Sequence, residues 1–320
     1  MRFWLKAGCD GFRVDMAGSL VKCDNENSDG NVALWQKFGK FLDEEFPEAA
    51  MISEWGEPAK SIRGGFHMDF LLHFGPSHYT DLFRCAEPYF SSRGNGEIEA
   101  FIENYIENSE KTDGKGMICI PSGNHDVVRL RCFFDAEEMK IIFVFLLTMP
   151  GAPFIYYGDE IGMRYIQNLT SLEGGFHRTG SSSPMQWNDS KNAGFSIGAE
   201  DTLYLPIDSS ADHPTAESEM SDANSLRSEV KRLIAFRQAH SALQNRGKIR
   251  FITHKGYPLV YVRTSESERL LAAVNPSNTA ASFEYSERLQ DPIYTYGEGF
   301  AQNGETVTLS PQTAVVIQLR

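Results

Sequence analysis

The chain has 320 residues, an apolar fraction of 41% and a net charge of −13, which is typical of a globular protein with one large and one small domain. The negative charge argues against binding of nucleic-acid phosphates, because that requires clustered lysine and arginine. The longest apolar run, residues 141–147, is too short to cross a bilayer, which takes about 20 residues. We therefore expect no nucleic-acid partner and no membrane association.

The cysteine pattern predicts the cellular compartment. Five cysteines are scattered along the chain, with no CxxC spacing and no neighbouring histidine cluster. An odd number of isolated cysteines is typical of reduced thiols in an intracellular protein. We expect a cytoplasmic location.

The first half of the chain alternates short apolar strands with amphipathic helices. Helical spacing of apolar residues predicts helices over 32–46, 98–106 and 139–149. Apolar runs bounded by turn residues predict strands at 12–14, 50–53, 68–72, 117–121 and 154–157. This alternation predicts an α/β fold, with a parallel sheet and helical crossovers.

The pattern changes in the second half. Residues 162–224 form a long connection rich in Gly, Ser, Pro and Asp, and a loop of that length is usually functional. A helix is predicted over 225–240. The apolar period then switches to two, which predicts antiparallel strands at 251–253, 259–262, 270–274 and 313–319.

Two charged side chains lie near the end of the first predicted strand. Residues 11–15 read GFRVD, so Arg13 and Asp15 are two positions apart and leave the same face of the strand. A guanidinium beside a carboxylate keeps that carboxylate ionised, which suits a nucleophile. A buried ion pair with a purely structural role is the alternative.

Polar clusters also end two later strands. Residues 52–54 (ISE) place Glu54 at a strand end, and residues 123–126 (GNHD) place His125 and Asp126 at another. A carboxyl group near an indole and a second carboxylate tends to keep its proton, as a general acid must. One ionised and one protonated carboxyl group across a sugar is the arrangement for glycoside hydrolysis, with retention when about 5 Å separates them.

These three segments resemble conserved regions of glycoside hydrolase family 13, the α-amylase family. By this resemblance Asp15 corresponds to the nucleophile, Glu54 to the general acid/base and Asp126 to the residue that stabilises the transition state. Arg13 matches the arginine that holds the nucleophile, and His125 the histidine that contacts the sugar. Further candidate substrate-binding residues lie in or near the motifs: Asn124, Trp55 and Arg178.

The resemblance extends over essentially the whole chain. Residues 151–162 (GAPFIYYGDEIG) resemble the segment around the family's last barrel strand. Residues 184–188 (PMQWN) and 203–206 (LYLP) resemble the branch that contains oligo-1,6-glucosidases, α-glucosidases and trehalose synthases. A (β/α)8 TIM barrel followed by a small antiparallel β-sandwich is implied. We place the barrel part at 1–246, with its active-site loop at about 162–224, and the sandwich at 247–320.

The resemblance also implies that this chain holds only barrel strands four to eight. Residues 1–7 are interpreted as the end of the helix before the fourth strand, with Gly8 as its stop. Because a part-barrel leaves two sheet edges open, we expect the chain alone to be poorly stable, aggregation-prone or dependent on a complementing N-terminal half. Family metal sites often draw on that absent half, so we expect no metal, and we expect no cofactor.

The implied activity is that of a retaining α-glycoside hydrolase. It would cleave α-glucosidic bonds of starch-derived oligosaccharides or disaccharides through a covalent glucosyl-enzyme intermediate. Two alternatives stay open: a glucosyl transferase or isomerase of the trehalose synthase type, which needs the same three carboxylates, and an inactive truncated fragment.

Four positions leave specificity or role open. Met16, after the nucleophile, settles neither an α-1,4 nor an α-1,6 preference. Ser182 stands where relatives of this branch often carry an arginine that recognises the terminal sugar. Trp187 and Asp69 are each evenly balanced between a structural role and a place in the site.

Overall fold

The structure is a computed structural model that describes residues 1–170 and 176–320, with the side chains of residues 176–178 left out. Its internal contacts separate two compact units. Unit 1 consists of Met1–Tyr79, Glu99–Ile120 and Pro150–Pro153. Unit 2 consists of Thr80–Ile98, Pro121–Met149 and Phe154–Arg320.

Helices and strands occur in both units. The described residues form these α-helices: α1 (Arg2–Lys6), α2 (Asp29–Glu45), α3 (Pro58–Arg63), α4 (Tyr79–Phe83), α5 (Glu99–Thr112), α6 (Ala136–Thr148), α7 (Ala216–Ser221) and α8 (Leu226–Ala239). They form these strands: β1 (Gly11–Val14), β2 (Ala50–Ser53), β3 (Met68–Phe70), β4 (Met117–Cys119), β5 (Lys248–Phe251), β6 (Leu259–Thr264), β7 (Arg269–Asn275), β8 (Ala281–Glu284), β9 (Tyr294–Tyr296), β10 (Phe300–Asn303), β11 (Thr306–Leu309) and β12 (Thr313–Gln318).

Unit 1 contains a four-stranded parallel sheet in the order β1-β2-β3-β4, which confirms the predicted α/β alternation. Helices α2, α3 and α5 connect successive strands. The register places Val14 opposite Ser53, and Ser53 opposite Asp69. Because the carboxyl ends of parallel strands share one edge of the sheet, the residues that follow β1 and β2 come together there.

The core of unit 1 lies between this sheet and helix α2. Val32, Trp35 and Leu42 face it at helical spacing. The indole of Trp35 packs against Phe66, with ring centroids 4.9 Å apart, and its Nε1 donates to the Ala17 carbonyl at 2.8 Å. Burial of each large side chain contributes about 1.5–3 kcal/mol, so α2 holds the sheet from one side.

The predicted strand at 154–157 is wrong. The structure shows only an isolated parallel bridge between Pro121 and Phe154. Pro121 has no N–H to donate, and the Phe154 carbonyl accepts from the Ser122 N–H at 2.9 Å. The Tyr156 N–H then donates to the Ser122 hydroxyl at 2.9 Å rather than to backbone. The Ser122 hydroxyl thus takes the place of the backbone carbonyl that a strand ladder would supply, and no regular strand forms.

The C-terminal part of unit 2 is built from two antiparallel sheets, β10-β11-β8 and β5-β6-β7-β12-β9. Side chains from both sheets enter one apolar cluster, including Val262, Phe283, Val307 and Val315. The predicted strand at 251–253 begins earlier, as β5. Its exposed and inward residues alternate, because it is an edge strand paired with β6 alone.

Helix α6 is buried on nearly all sides, as its apolar sequence predicts. Its first turn is closed by a capping box between Asp135 and Glu138. At its other end the Thr148 hydroxyl shares a hydrogen bond with the Tyr261 hydroxyl at 2.5 Å. Arg237 of α8 donates to the Leu147 carbonyl at 2.8 Å. These bonds satisfy polar groups that burial would otherwise leave unpaired.

Two sequence expectations concern the chain as a whole. All five cysteines have free thiols. No helix within residues 1–170 and 176–320 combines the length and apolarity needed to cross a membrane.

Candidate functional site

Unit 1 brings together three of the predicted site residues, with the guanidinium of Arg13 between the carboxyl groups of Asp15 and Glu54. Arg13 Nη1 donates to Asp15 Oδ1, and Arg13 Nη2 lies 2.9 Å from Glu54 Oε1. The Glu54 N–H donates to the Val14 carbonyl at 2.9 Å, which extends the β1–β2 pairing by one residue. That extension sets Glu54 beside Asp15, so the bridge follows from the strand register.

The two carboxyl groups have different surroundings. The side chain of Asp15 is 70% exposed, whereas that of Glu54 is 10% exposed. Burial, followed by a hydrogen bond shared with Asp15, raises the pKa of the Glu54 carboxyl. The Met16 N–H, 3.2 Å from Glu54 Oε2, and the guanidinium of Arg13 act in the opposite direction. Glu54 therefore holds a proton to higher pH than an ordinary glutamate.

Met16 adopts a strained conformation that serves this contact. Its φ of 45° lies in the left-handed region, which a side chain such as methionine rarely occupies. The Met16 N–H points to Glu54 Oε2, and the next N–H, that of Ala17, donates to the Glu54 carbonyl at 3.1 Å. Strain of this kind is retained where the surrounding contacts require it.

Trp55 is almost completely buried. It is 8% exposed and belongs to the apolar cluster that also holds Trp35 and Phe66. A Cβ added at Gly18 would lie 2.5 Å from the Trp55 Nε1 atom, so only glycine fits against this indole. The substrate-binding role of Trp55 stays a prediction.

Behind Glu54 lies a completely buried carboxyl group, that of Asp69. Its Oδ1 accepts from the Ser53 hydroxyl at 2.8 Å and from the Trp55 N–H at 3.1 Å. Burial raises the pKa of Asp69 to about 7 in spite of these bonds. Sequence reasoning left this residue undecided, because a single Asp in a short apolar strand gives no sign of its depth.

Unit 2 holds the other predicted group. His125 Nε2 lies 3.2 Å from Asp126 Oδ2. The Asp126 N–H donates to Asn124 Oδ1 at 2.8 Å, which closes a turn and orients both residues. The side chains of His125 and Asp126 are 49% and 23% exposed. The three residues thus form one polar cluster that solvent reaches.

A buried ion pair fixes the turn that carries this cluster. Arg129 and Asp159 are buried, with Arg129 Nη1 3.5 Å from Asp159 Oδ1. Arg129 also stacks over Tyr157 at 4.8 Å and donates to its carbonyl at 2.6 Å. Asp159 Oδ2 accepts from the Ser122 hydroxyl at 2.7 Å. The sequence analysis missed this pair, because nothing local indicates that an arginine three residues after Asp126 is buried.

An aromatic cavity of about 530 Å³ lies elsewhere in unit 2. Trp187 and Tyr204, among the residues that line it, are more than half exposed. The Tyr157 hydroxyl donates to the Ser183 carbonyl at 2.7 Å and fixes one wall. Trp187 is therefore not a core residue. The side chain of Arg178 lies outside the described part of the chain, so its predicted role stays a prediction.

A metal ion would need several His, Cys, Asp or Glu side chains around one point. In residues 1–170 and 176–320, no three His, Cys, Asp or Glu side chains are arranged to hold one. The carboxylates near Arg13 are instead neutralised by the guanidinium. The exposed Asp15 and the buried Glu54 can supply nucleophilic attack by a carboxylate, proton transfer and hydrogen bonding.

Asp69 makes the stability of the fold fall as pH rises. The folded-state pKa is about 7, against about 3.8 for an ordinary aspartate. Between these values the folded chain binds a proton that the unfolded chain has released, so unfolding becomes easier by on the order of 1 kcal/mol per pH unit. Asp69→Asn cannot ionise. Urea unfolding should show its stability rising relative to wild type up to about pH 7 and levelling off above it. Parallel pH profiles of the two proteins would contradict this.

Removing Arg129 takes the stronger of two nearby cations from the buried carboxyl group of Asp159, which then keeps only the Ser122 hydroxyl and the weaker effect of Arg84. We expect Arg129→Met to lower the free energy of unfolding by about 3–5 kcal/mol at neutral pH. Adding Asp159→Asn should restore part of the loss, since the uncompensated charge is then gone. Urea unfolding of the single and double variants measures both effects. A double variant less stable than Arg129→Met would show that the charge is not the cause.

Several proteins of known activity are similar to this chain in sequence. The chain is 27% identical to alpha-amylase 3 of Dictyoglomus thermophilum, covering 99% of this chain and 60% of that protein. It is 25% identical to an oligo-1,6-glucosidase of Parageobacillus thermoglucosidasius, covering 100% and 67%. It is also 25% identical to a trehalose synthase of Thermus thermophilus, covering 89% and 33%. The chain thus spans about a third to two thirds of the length of these relatives.

Solved structures share the fold. A trehalulose synthase superposes with a TM-score of 0.79 at 20% identity, covering 99% of this chain and 67% of that one. The α-amylase from H. orenii superposes with a TM-score of 0.77 at 21% identity, covering 100% and 62%. The sequence profile of the alpha amylase catalytic domain matches residues 1–246. The chain therefore belongs to the α-amylase family, glycoside hydrolase family 13.

Proposed function

We propose that the protein is a retaining α-glycoside hydrolase that acts on α-glucosidic bonds of starch-derived oligosaccharides or disaccharides. One observation carries the proposal: Arg13 contacts both an exposed Asp15 and a buried Glu54 with a raised pKa. The exposed carboxylate suits a nucleophile, and the buried carboxyl group suits a general acid. Two carboxyl groups held by one guanidinium leave little room for a water between them, which favours retention over inversion.

The mechanism has two steps. In the first, an oxygen of Asp15 attacks the anomeric carbon while Glu54 protonates the departing glycosidic oxygen, which breaks the bond and leaves a glucosyl ester on Asp15. In the second, Glu54 takes a proton from water, which attacks the same carbon and releases glucose and the Asp15 carboxylate. Arg13, which donates to Asp15 Oδ1, places a positive charge beside the nucleophile. The Arg13–Glu54 contact orients the acid.

We assign the remaining site residues by their family resemblance and their chemistry. Asp126 would stabilise the positive charge that develops on the sugar, and His125 and Asn124 would hydrogen-bond its hydroxyl groups. The polar, solvent-accessible cluster that these three residues form supports this assignment. Trp55 and Arg178 are proposed as further substrate-binding residues.

The same proposal covers the architecture. We assign the parallel strands to the fourth and following strands of a TIM barrel, with a catalytic part at 1–246 and a β-sandwich at 247–320. The coverage supports this, because the compared solved structures contain this whole chain in about two thirds of their length.

Azide rescue distinguishes the nucleophile from the acid/base. With p-nitrophenyl α-glucoside, Asp15→Ala and Glu54→Ala should each lose activity by roughly 10²–10⁴-fold. In Asp15→Ala, azide attacks the substrate directly and yields the β-glucosyl azide. In Glu54→Ala the glucosyl-enzyme still forms, because p-nitrophenolate is a good enough leaving group to depart without protonation, and azide opens the intermediate to the α-glucosyl azide. Chromatography of the products measures both.

Asp43→Ala is the matched control, since Asp43 is an exposed carboxylate on α2. It should keep wild-type activity and form no azide product beyond the wild-type level. The opposite assignment of anomers to the two variants would reverse the roles of Asp15 and Glu54.

Glucosyl transfer is the second candidate, and a trehalose synthase relative that is 25% identical to this chain, as the oligo-1,6-glucosidase is, is compatible with it. Transfer requires that a sugar outcompete water for the glucosyl-enzyme. Because the Asp15 side chain is 70% exposed, we expect water to win. Maltose should yield mainly glucose, with little new disaccharide even when glucose is added as acceptor. A disaccharide as the main product without added acceptor would establish transfer instead.

A further inference from the structure

The end of strand β2 sends alternate side chains in opposite directions. Glu54 turns towards Arg13, with 2.9 Å between Oε1 and Nη2. Ser53, one residue earlier, turns to the other face of the sheet, where its hydroxyl lies 2.8 Å from Asp69 Oδ1. Ser53 and Asp69 are direct partners in the β2–β3 register. Whatever fixes Ser53 and Trp55 therefore fixes the backbone from which Glu54 projects.

Asp69 holds both of those neighbours with one oxygen. Besides the Ser53 hydroxyl, Oδ1 lies 3.1 Å from the Trp55 N–H and 3.4 Å from the Gly56 N–H. The residues on either side of Glu54 are thus tied to the same atom. Among the described residues, the other oxygen, Oδ2, has no hydrogen-bond partner. Of the two oxygens of this buried carboxyl group, only Oδ1 makes these hydrogen bonds.

Helix α3 is tied to the same point. The Ser53 and Ser61 hydroxyls share a hydrogen bond at 2.5 Å, and both residues are completely buried. The Ser53 hydroxyl also lies 3.2 Å from the Met68 carbonyl. Two strands and one helix therefore meet in a single polar cluster behind Glu54, formed by Asp69, Ser53 and Ser61.

A carboxyl group is a costly choice for this position. An asparagine oxygen would accept the same hydrogen bonds without the desolvation cost of a charge. Residues that lower stability in this way are concentrated at functional sites. The nearest reactive group is Glu54, whose placement matters because a shift of about 1 Å at a catalytic group costs on the order of 10²-fold in rate.

We propose that Asp69 is a positioning residue for Glu54: by holding Ser53 and Trp55 on one oxygen, it directs the Glu54 carboxyl into its buried place between Arg13 and the Met16 N–H. This rests on the proposed function, in which Glu54 is the general acid. Asp69 itself touches no substrate. Its effect on the reaction passes through the position of Glu54.

The test measures Glu54 directly, so that it does not depend on activity. The protein is labelled with ¹³C at the glutamate side-chain carboxyl carbon, and the Glu54 signal is identified by its loss in Glu54→Gln. Asp69→Ala should lower the titration midpoint of Glu54 towards that of an ordinary glutamate, since the freed backbone lets water reach the carboxyl. Asp69→Asn, which keeps the accepting oxygen, should leave the midpoint at its wild-type value.

Asp24→Ala is the matched control. Asp24 is a carboxylate of unit 1 that accepts the Gly30 and Asn31 N–H groups at 3.0 and 2.8 Å, so its loss also weakens the fold. It should leave the Glu54 midpoint unchanged. If Asp69→Ala does not fold, Ser53→Ala removes the hydrogen bonds of the Ser53 hydroxyl with Asp69 and Ser61 but leaves the Asp69–Trp55 contact, and should give a smaller shift in the same direction.

An unchanged Glu54 midpoint in Asp69→Ala, or in Ser53→Ala if that variant replaces it, would overturn the proposal and leave Asp69 a structural residue. An Asp24→Ala variant that shifts the midpoint equally would overturn it too, because general loosening would then be the cause. If the azide experiment yields no glucosyl azide but Asp69→Ala lowers the Glu54 midpoint as expected, the proposed function is refuted and the positioning role of Asp69 is retained. The two ideas therefore fail separately.

Discussion

The guanidinium of Arg13 lies between two carboxyl groups that parallel strands deliver to one edge of a sheet. Without it, Asp15 and Glu54 would repel each other when both are ionised, and the buried one would carry an uncompensated charge. With it, the exposed carboxylate of Asp15 has a cation beside it, while burial raises the pKa of the enclosed Glu54 carboxyl group. The proposed chemistry depends on this difference between two groups of the same type.

The surrounding structure maintains that difference at a cost in stability. Met16 is held in a left-handed conformation so that its N–H reaches Glu54. Asp69 is buried with a pKa of about 7, and Trp55 fills the space beside Gly18. Each feature lowers stability or restricts the residues that fit. The core around Trp35 and the ladder between β1 and β2 offset these costs.

Unit 2 uses a different device to hold its own polar cluster. A backbone turn with exposed side chains would move freely, but Arg129 anchors it through a buried ion pair with Asp159 and by stacking on Tyr157. His125 and Asp126 are then presented to solvent from a rigid base. Loops that bind substrate commonly combine an exposed tip with a fixed stem.

Much of this molecule follows from local sequence. Apolar periods of 3.6 and 2 are local properties, and they predicted the parallel sheet, the buried helix α6 and the antiparallel C-terminal sheets. The spacing of Arg13 and Asp15 placed both side chains on one face. Burial is not local. Only the tertiary structure decided that Glu54 is enclosed while Asp15 is open, that Asp69 and Arg129 are buried, and that the Tyr156 N–H bonds to the Ser122 hydroxyl where a strand was predicted. These outcomes depend on which residues distant in the chain surround each group, and a sequence pattern contains no information about that surrounding.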